Sequence, residues 1–261
     1  MRGIKSAFLL AGQMLPPAAL RSLYFIHESL LRAWLAYPRG RPPIHGLLTH
    51  LAVTLVKMRT NLPYRCLEHL TGIARATLAR MVARTSLLLA TLPLPPLCSS
   101  ALVDTTTIRL GRGACIGDYT GYKHLQGIKI QIMVDQQSRV GSVCGPYPAS
   151  WHDKRIFETA AQNARNLPTA IIGDKAYLGL AHLGVKVPEK RNHKCYKKDP
   201  TTAKRTNRTL NRQRIVVEHT FASIKRCKIF YTGFHFTRQT LFQFFYNACI
   251  FHNAEVETRE F

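Results

Sequence analysis

Acidic residues are scarce in this sequence, so the position of each carboxylate carries information. The chain of 261 residues has 37 Lys and Arg against 14 Asp and Glu, which gives a formal net charge of +23. Asp104 and Asp174 belong to strand-like segments, and Glu218 belongs to a segment with helical periodicity. Carboxylate oxygens are hard ligands of the kind that Mg²⁺ binds together with waters and substrate phosphates. The three acids are therefore candidate metal ligands.

A site of this type has a defined chemistry. Two Mg²⁺ ions roughly 3.5–4 Å apart activate an attacking oxygen and stabilise the leaving oxygen when a phosphodiester bond is cut. Clustered acids repel one another, so we expect such a site to bind metal weakly until DNA phosphates complete the coordination. Mn²⁺ is the expected substitute for Mg²⁺.

Glu218 lies in the segment R-I-V-V-E-H-T-F-A-S-I-K, residues 214–225, where its neighbours are basic or apolar. Arg214, Glu218 and Lys225 are spaced i, i+4 and i+11, which brings them near one face of a helix. On that face the carboxylate can bind metal while the two cations contact the phosphate backbone. An ordinary ion pair between Arg214 and Glu218 explains the same spacing equally well.

The two aspartates also have simpler explanations when each is taken alone. Asp104 fits a turn or a helix cap, and Asp174 after Gly173 fits a turn at the end of a strand. Three acids in this chain order, on a first strand, a later strand end and a late helix, match the arrangement of an RNase H-like nuclease core. The order of the three, rather than any one of them, favours the metal site.

The segments that must position these acids predict an α/β domain. Residues 124–135 alternate cleanly, with Ile130 and Ile132 on one face and Gln131 on the other. Strands are predicted at 101–110, 124–135, 139–147, 169–174 and 185–187, and helices at 153–165, 202–228 and 237–253. Strands flanked by helices indicate an α/β fold, an RNase H-like mixed sheet with helices around it.

The first 92 residues predict a small all-α part. Helices are predicted over 18–37 and 45–59, followed by two short helices within 62–82. Pro63 suits a helix start and Gly72 a helix stop, and two short helices joined by such a turn form the helix-turn-helix pattern.

The second helix of this motif is the one that enters the DNA groove. Its candidate DNA contacts are Arg75, Thr77, Arg80 and Arg84; the alternative is a solvated basic face. We divide the chain into an N-terminal helical segment (1–44), the helix-turn-helix domain (45–92), a linker (93–100) and the catalytic domain (101–261).

The charge balance predicts a polyanionic partner. Residues 1–100 hold twelve Lys and Arg and two acids, and residues 186–228 hold fourteen Lys and Arg and three acids. Charge of one sign in two separate regions favours nucleic acid. Seven scattered cysteines without a C-x-x-C pair argue against a disulfide framework or a zinc site and suit a reducing cytoplasm. No apolar stretch reaches the roughly 18 residues of a membrane helix, so we expect a soluble intracellular protein.

Several blocks resemble one family, in order along the chain. V-D-T-T at 103–106, I-I-G-D-K-A-Y at 171–177 and the segment at 214–225 resemble the DDE transposases of bacterial insertion sequences, particularly those akin to Harbinger-type elements. Arg214, Glu218 and Lys225 fit the family signature Tyr-x2-Arg-x3-Glu-x6-Lys, with Asn211 at the tyrosine position. Further similar blocks lie at 150–157 and 248–253 and in the helix-turn-helix, so the resemblance covers roughly residues 45–254.

The resemblance implies a DNA transposase. Such a protein binds the terminal inverted repeats of its element, cuts a phosphodiester at each end and joins the 3′-hydroxyl to target DNA. It implies Asp104, Asp174 and Glu218 as ligands of two Mg²⁺ ions, a homodimer or larger assembly on double-stranded DNA, and a bacterial, nucleoid-associated location. A DNA-binding regulator without catalysis and a stand-alone nuclease of the same fold are the alternatives.

Other residues are secondary candidates. His152 and Asp153 are accessory candidates for the metal site, although Asp153 fits a helix N-cap equally well. Lys175 next to Asp174 suits either screening of the acids or phosphate binding. Tyr122 and Lys123 are weaker candidates for contact with a displaced strand, and a strand edge is the simpler interpretation.

Overall fold

The computed structural model describes residues 12–36, 45–97, 99–111, 116–121, 124–164, 167–190, 194–231 and 237–259. Tyr122 and Lys123, and parts of the predicted N-terminal segment, lie outside these ranges. The chain forms two compact units. The first unit comprises Met1–Pro93, Ile224–Thr232 and Gln243–Phe261, and the second comprises Leu94–Ser223 and Gly233–Phe242.

Helices make up the secondary structure described in the first unit. They are α1 (Pro17–Ala36), α2 (Leu47–Thr60), α3 (Tyr64–Thr71) and α4 (Arg75–Leu89), together with most of a late helix, Arg238–Glu257, which we number α8. The predicted helices are confirmed here, including the stop of α3, because Gly72 takes the left-handed conformation at φ +69°. Among the residues described, none of the helices combines the length and apolarity that a membrane span needs.

The start of α4 is capped from a distance. Ala74 stands at the N-cap position, where its side chain has no acceptor for the first amides of the helix. The carboxylate of Glu68, on α3, accepts a hydrogen bond from the backbone N–H of Arg75 at 3.2 Å instead. An anionic group at a helix N-terminus also interacts favourably with the helix dipole. Glu68 thus fixes the turn between α3 and α4.

A buried ion cluster lies in the first unit. The side chain of Glu255 on α8 is only 2% exposed. It forms an ion pair with Arg59 on α2 and a second one, at 3.3 Å, with Arg226. A carboxylate taken out of water is costly unless cations and hydrogen bonds compensate for it. The apolar residues Phe244, Phe245 and Phe251 of α8 are also buried, as the helical spacing of these rings predicts.

The second unit is built on a mixed sheet. Its strands are β1 (Ser100–Arg109), β2 (Tyr119–Thr120), β3 (Leu125–Val134), β4 (Val140–Pro148), β5 (Ala170–Ile172) and β6 (Val185–Lys186). The order is β2-β3-β1-β5-β6, and β4 pairs with β3. Strands β1, β3 and β4 pair antiparallel, whereas β1, β5 and β6 pair parallel. Three helices accompany the sheet: α5 (Asp153–Asn163), α6 (Lys194–Lys198) and α7 (Pro200–Lys225).

This architecture confirms the predicted fold class, an RNase H-like mixed sheet flanked by helices and preceded by helices. Both faces of the sheet are covered, and Gln131, which alternation places opposite Ile130 and Ile132, is itself only 1% exposed. One face packs on a cluster that includes Val103, Phe157 and Tyr177. The opposite face carries the even-numbered residues of β1, among them Asp104.

The structural units divide the C-terminal part of the chain differently from the predicted boundaries, which assign all of 101–261 to one domain. Residues 224–231 and 243–259 belong to the same unit as the N-terminal helices. On α8, Gln243 donates to the carbonyl of Ser86 at 3.1 Å, and the Tyr246 hydroxyl donates to the carbonyl of Leu92 at 2.9 Å. A helix buried nearly all round needs cover on every side. Its periodicity does not reveal which helices provide that cover.

The Glu255 cluster generates a stability prediction. Glu255→Gln removes the carboxylate that compensates Arg59 and Arg226, so we expect the free energy of unfolding to fall by about 3–5 kcal/mol. Urea denaturation followed by circular dichroism measures it. The control is Glu158→Gln on α5, where the pair with Lys154 is 3.8 Å apart and partly exposed; there we expect a loss below about 1 kcal/mol. Equal losses in the two variants contradict the assignment.

Candidate active site

Strand register places Asp104 and Asp174 on the same face of the sheet. Leu102 on β1 pairs in parallel with Ile172 on β5. Each aspartate lies two residues beyond one of these partners, and side chains two apart along a strand point to the same face. The charge of Asp174 reaches Asp104 strongly enough to affect its pKa. Strand register therefore brings the two aspartates to the same face of the sheet.

Burial dominates the chemistry of Asp104. Desolvation raises the pKa of its carboxyl from 3.8 to about 6, and the nearby charges of Asp174 and Asp153 add to this rise. A hydrogen bond from the backbone N–H of Thr105 to Oδ1, at 2.8 Å, and the positive charge of Arg214 act in the opposite direction. The positive charge near Asp104 is thus too small to offset the burial of its carboxylate.

Asp174 is held by the turn that follows it. Its Oδ1 accepts a hydrogen bond from the backbone N–H of Ala176 at 2.8 Å, which caps a 3-10 turn at Lys175–Tyr177. The strand-end turn considered for Asp174 is therefore present. The other carboxylate oxygen of Asp174, Oδ2, is not part of this cap. Lys175 is exposed, directly after the aspartate.

A hydrogen-bonded group on the other face of the sheet supports this strand pair. The hydroxyl groups of Tyr177 and Thr105 are 2.7 Å apart, and Gln131 Nε2 donates to the Tyr177 hydroxyl at 3.2 Å. Tyr177 is fully buried and packs edge-on against Phe157. The network ties the turn after Asp174 to the residue after Asp104. Sequence reasoning missed Tyr177 and Gln131 as supporting residues; the polar Gln131 between apolar neighbours was the available signal.

Glu218 and Arg214 lie on α7, as predicted, one turn apart. The Glu218 side chain is 57% exposed, while that of Arg214 is 16% exposed, and the two groups are 3.9 Å apart. This is the weak i, i+4 pair that the sequence allows. Arg214 also lowers the pKa of Asp104. Arg214 therefore provides an electrostatic interaction between the helix that carries Glu218 and Asp104 on the sheet. Lys225 is the last residue of α7 and is partly buried.

The three acids fit a divalent cation in part. Within the described ranges, no three His, Cys, Asp or Glu side chains are grouped closely enough to hold a metal ion together. Asp104 and Asp174 nonetheless share one sheet face, and both provide the hard oxygen atoms that Mg²⁺ and Mn²⁺ prefer. Burial and like charge disfavour the ionised form of Asp104, and a bound cation relieves both effects. The aspartates are thus a fitting pair of ligands, and Glu218 lies on the helix whose Arg214 acts on Asp104.

The accessory candidates have structural roles. His152, rather than Asp153, is the N-cap of α5, because its Nδ1 accepts the backbone N–H of Lys154 at 3.3 Å. Asp153 is the first residue of α5 and pairs with Lys129 on β3 at 2.9 Å. The charge of Asp153 also raises the pKa of Asp104.

The four candidates on α4 differ in their surroundings. Arg80 is exposed, Arg75 is exposed and pairs with Glu68 at 3.0 Å, and Thr77 is half-buried. Arg84 stacks its guanidinium over the Trp34 ring, 4.4 Å from the ring centroid. It also lowers the pKa of the buried His50, after the larger effect of desolvation. The structure therefore presents Arg80 and Arg75 at the surface of α4 and holds Arg84 against α1.

Comparison with known proteins identifies one family. Residues 103–253 match the family described as DDE superfamily endonuclease. The matched range contains Asp104, Asp174 and Glu218 and spans more than half of the chain. No curated protein matches the sequence.

The environment of Asp104 predicts how stability depends on pH. Because the folded-state pKa is about 6 and the ordinary value is 3.8, the unfolded chain loses this proton first as the pH rises. The wild-type protein should therefore lose stability relative to Asp104→Asn between about pH 4 and pH 6, by roughly 2–3 kcal/mol. Urea denaturation in EDTA across this range measures the difference.

Asp199→Asn is the control for this prediction. Asp199 is exposed, and hydrogen bonds from Thr202 lower the pKa of its carboxyl. The sign is opposite: the wild-type protein should gain stability relative to this variant as the pH rises. Parallel curves for the wild type and Asp104→Asn would mean that the Asp104 carboxyl is not desolvated.

Proposed function

The chain belongs to the DDE superfamily endonucleases, a family of nuclease-type enzymes that act on DNA, and from this premise we propose that it is a DNA transposase of a bacterial insertion sequence, akin to Harbinger-type elements. It binds the terminal inverted repeats of its element, cuts a phosphodiester at each end and joins the 3′-hydroxyl to target DNA. The observation that carries the proposal is electrostatic: Asp104 and Asp174 share one sheet face and Arg214, on the helix of Glu218, acts on Asp104.

In this proposal, Asp104, Asp174 and Glu218 hold two divalent cations, Mg²⁺ or Mn²⁺, once DNA is bound. The cations supply Lewis-acid stabilisation of charge on the attacking and leaving oxygens. The aspartates stay oriented through the bonds from the backbone of Thr105 and Ala176. Glu218, largely exposed, completes the ligand set when the phosphate enters.

Three cations of the chain contact the DNA backbone in the same proposal. Arg214 would bind a phosphate oxygen, and its guanidinium suits bidentate phosphate binding. Lys175, directly after Asp174, and Lys225, at the end of the helix of Glu218, act as single charges on the backbone. His152 and Asp153 hold the start of α5, so their part in catalysis is indirect.

We further propose that residues 45–92 are the domain that recognises the inverted repeat. Helix α4 is its recognition helix, and Arg75, Thr77 and Arg80 contact base edges and phosphates. Arg84, which stacks on Trp34, fixes the helix instead. Joining two ends of an element needs at least two protomers, so the active form is a homodimer or larger assembly on DNA in the bacterial cytoplasm, associated with the nucleoid.

The catalytic proposal predicts the loss of all chemistry in Glu218→Gln. The substrate is a labelled duplex that carries the terminal repeat of the element, with Mg²⁺ or Mn²⁺. We expect nicking at the repeat end and strand joining by the wild-type protein, and a reduction of at least about 100-fold in the variant, because an amide is a poor metal ligand. Gel electrophoresis of the products measures both steps. Glu158→Gln, at an exposed site on α5, should remain active.

Other outcomes distinguish the alternatives. Nicking without joining would identify a nuclease of the same fold. Salt-sensitive DNA binding without metal-dependent cleavage in either protein would identify a DNA-binding regulator. Cleavage by Glu218→Gln at the wild-type rate would remove Glu218 from the ligand set.

The recognition proposal predicts different effects for two arginines of one helix. Arg80→Gln should weaken binding to the repeat duplex and reduce the slope of log affinity against log salt by about one, with unfolding unchanged. Arg84→Gln should instead lower the free energy of unfolding by about 0.5–2 kcal/mol, because it loses the stacking on Trp34. Fluorescence anisotropy and urea denaturation measure the two effects. A larger binding loss in Arg84→Gln than in Arg80→Gln contradicts the assignment.

A further inference from the structure

A cleft of about 790 Å³ lies beside the exposed carboxylate of Glu218. Part of its wall is α7, and the remainder comes from residues near the ends of the parallel strands and from α6. Among the residues that the structure describes, five cations line it: Lys175, Lys204, Arg208, Arg212 and Arg214. Two carboxylates, those of Glu189 and Glu218, line the same cleft. The excess of positive charge suits an anionic ligand.

Three of these cations form a stripe on α7. Lys204, Arg208 and Arg212 are spaced i, i+4 and i+8, so they lie above one another along one face of the helix. Like charges at this spacing destabilise a helix unless an anion lies between them. The stripe precedes Arg214 and Glu218 and leads along the helix towards them. It therefore suits a chain of phosphates that ends at the acids.

One residue of the cleft wall is held against α7. The Asn207 side chain on α7 makes two hydrogen bonds with the backbone of Glu189: its Oδ1 accepts the N–H at 2.8 Å, and its Nδ2 donates to the carbonyl at 3.0 Å. Tyr196 on α6 also lines the cleft, although only 8% of its surface is exposed. The two amide hydrogen bonds therefore fix the backbone of Glu189 beside the cations of α7.

The volume of the cleft lies in the range of pockets that enclose small ligands, roughly 300–1,000 Å³. Tyr196 is buried, so the cations, rather than its ring, are the groups that the cleft offers to a ligand. A groove lined with cations suits an unpaired strand, because the cations follow its phosphate backbone.

We propose that this cleft binds one or two unpaired nucleotides of DNA next to the phosphodiester bond that the protein cuts. The inference rests on the proposed function, since it takes the acids as the place of cleavage. Lys204, Arg208 and Arg212 hold the phosphates of the unpaired nucleotides. Asn207 holds the backbone of Glu189 in the wall beside them.

The experiment compares three labelled DNAs in EDTA: a blunt hairpin duplex and the same duplex with two unpaired nucleotides at its 5′ or 3′ end. Fluorescence anisotropy at constant salt gives the affinities, since salt alone changes them strongly. We expect one overhang to bind the wild-type protein about tenfold more tightly than the blunt duplex does. Arg208→Gln and Lys204→Gln should each reduce this preference to about twofold or less.

Arg205→Gln is the matched control. Arg205 is exposed on the same helix but does not line the cleft. This variant should retain the full preference for the overhang. Equal affinity of the wild-type protein for blunt and overhanging duplexes overturns the inference. So does a preference that Arg205→Gln reduces as much as Arg208→Gln.

The design separates this inference from the proposed function. Binding is measured without divalent metal, so the outcome does not depend on catalysis. A protein that prefers the overhang but never cuts with Mg²⁺ or Mn²⁺ supports the cleft and contradicts the transposase. A protein that cuts and joins but shows no preference contradicts the cleft alone.

Discussion

Parallel pairing between β1 and β5 places Asp104 and Asp174 level with each other on one face of the sheet. Two carboxylates in such positions repel, and burial of Asp104 increases the cost of its charge. The protein compensates with backbone N–H donors, from Thr105 and Ala176, and with the charge of Arg214. Asp174 is therefore capped into a tight turn, whereas Asp104, within β1, relies on one backbone donor and on an arginine of α7.

The support for this strand pair lies on the opposite face of the sheet. Tyr177, the last residue of the turn that Asp174 caps, forms buried hydrogen bonds with Thr105 and Gln131. A buried network of this kind is stable only when its polar groups are bonded, because an unpaired group in the interior is costly. Shifting β5 by one residue would move Asp174 to the other face and break these bonds. The register of the acids and the packing of the core therefore depend on each other.

Positive charge has several distinct roles in the described part of the chain. Arg59 and Arg226 compensate the buried Glu255, and Arg84 stacks on Trp34, so these arginines contribute to stability of the first unit. The cations that line the cleft along α7 face two carboxylates and an open volume instead. The net charge of +23 thus includes two kinds of cation. Some are compensated within the fold, and others are available to a partner.

Local chemistry was sufficient to predict the alternation of β3, the stop of α3 at Gly72 and the placement of the three acids on two strand segments and a helix. These features depend on residues close in sequence, where periodicity and turn preference apply directly. Residues such as Tyr177 and Gln131 could not be assigned, because their partners are brought together only by strand pairing. The contact between Arg84 and Trp34 could not be predicted either, because the two residues are far apart in sequence. The apolar surface of α8 likewise does not indicate which helices cover it. Tertiary structure decided which polar groups are buried together, since desolvation and register are properties of the packed chain.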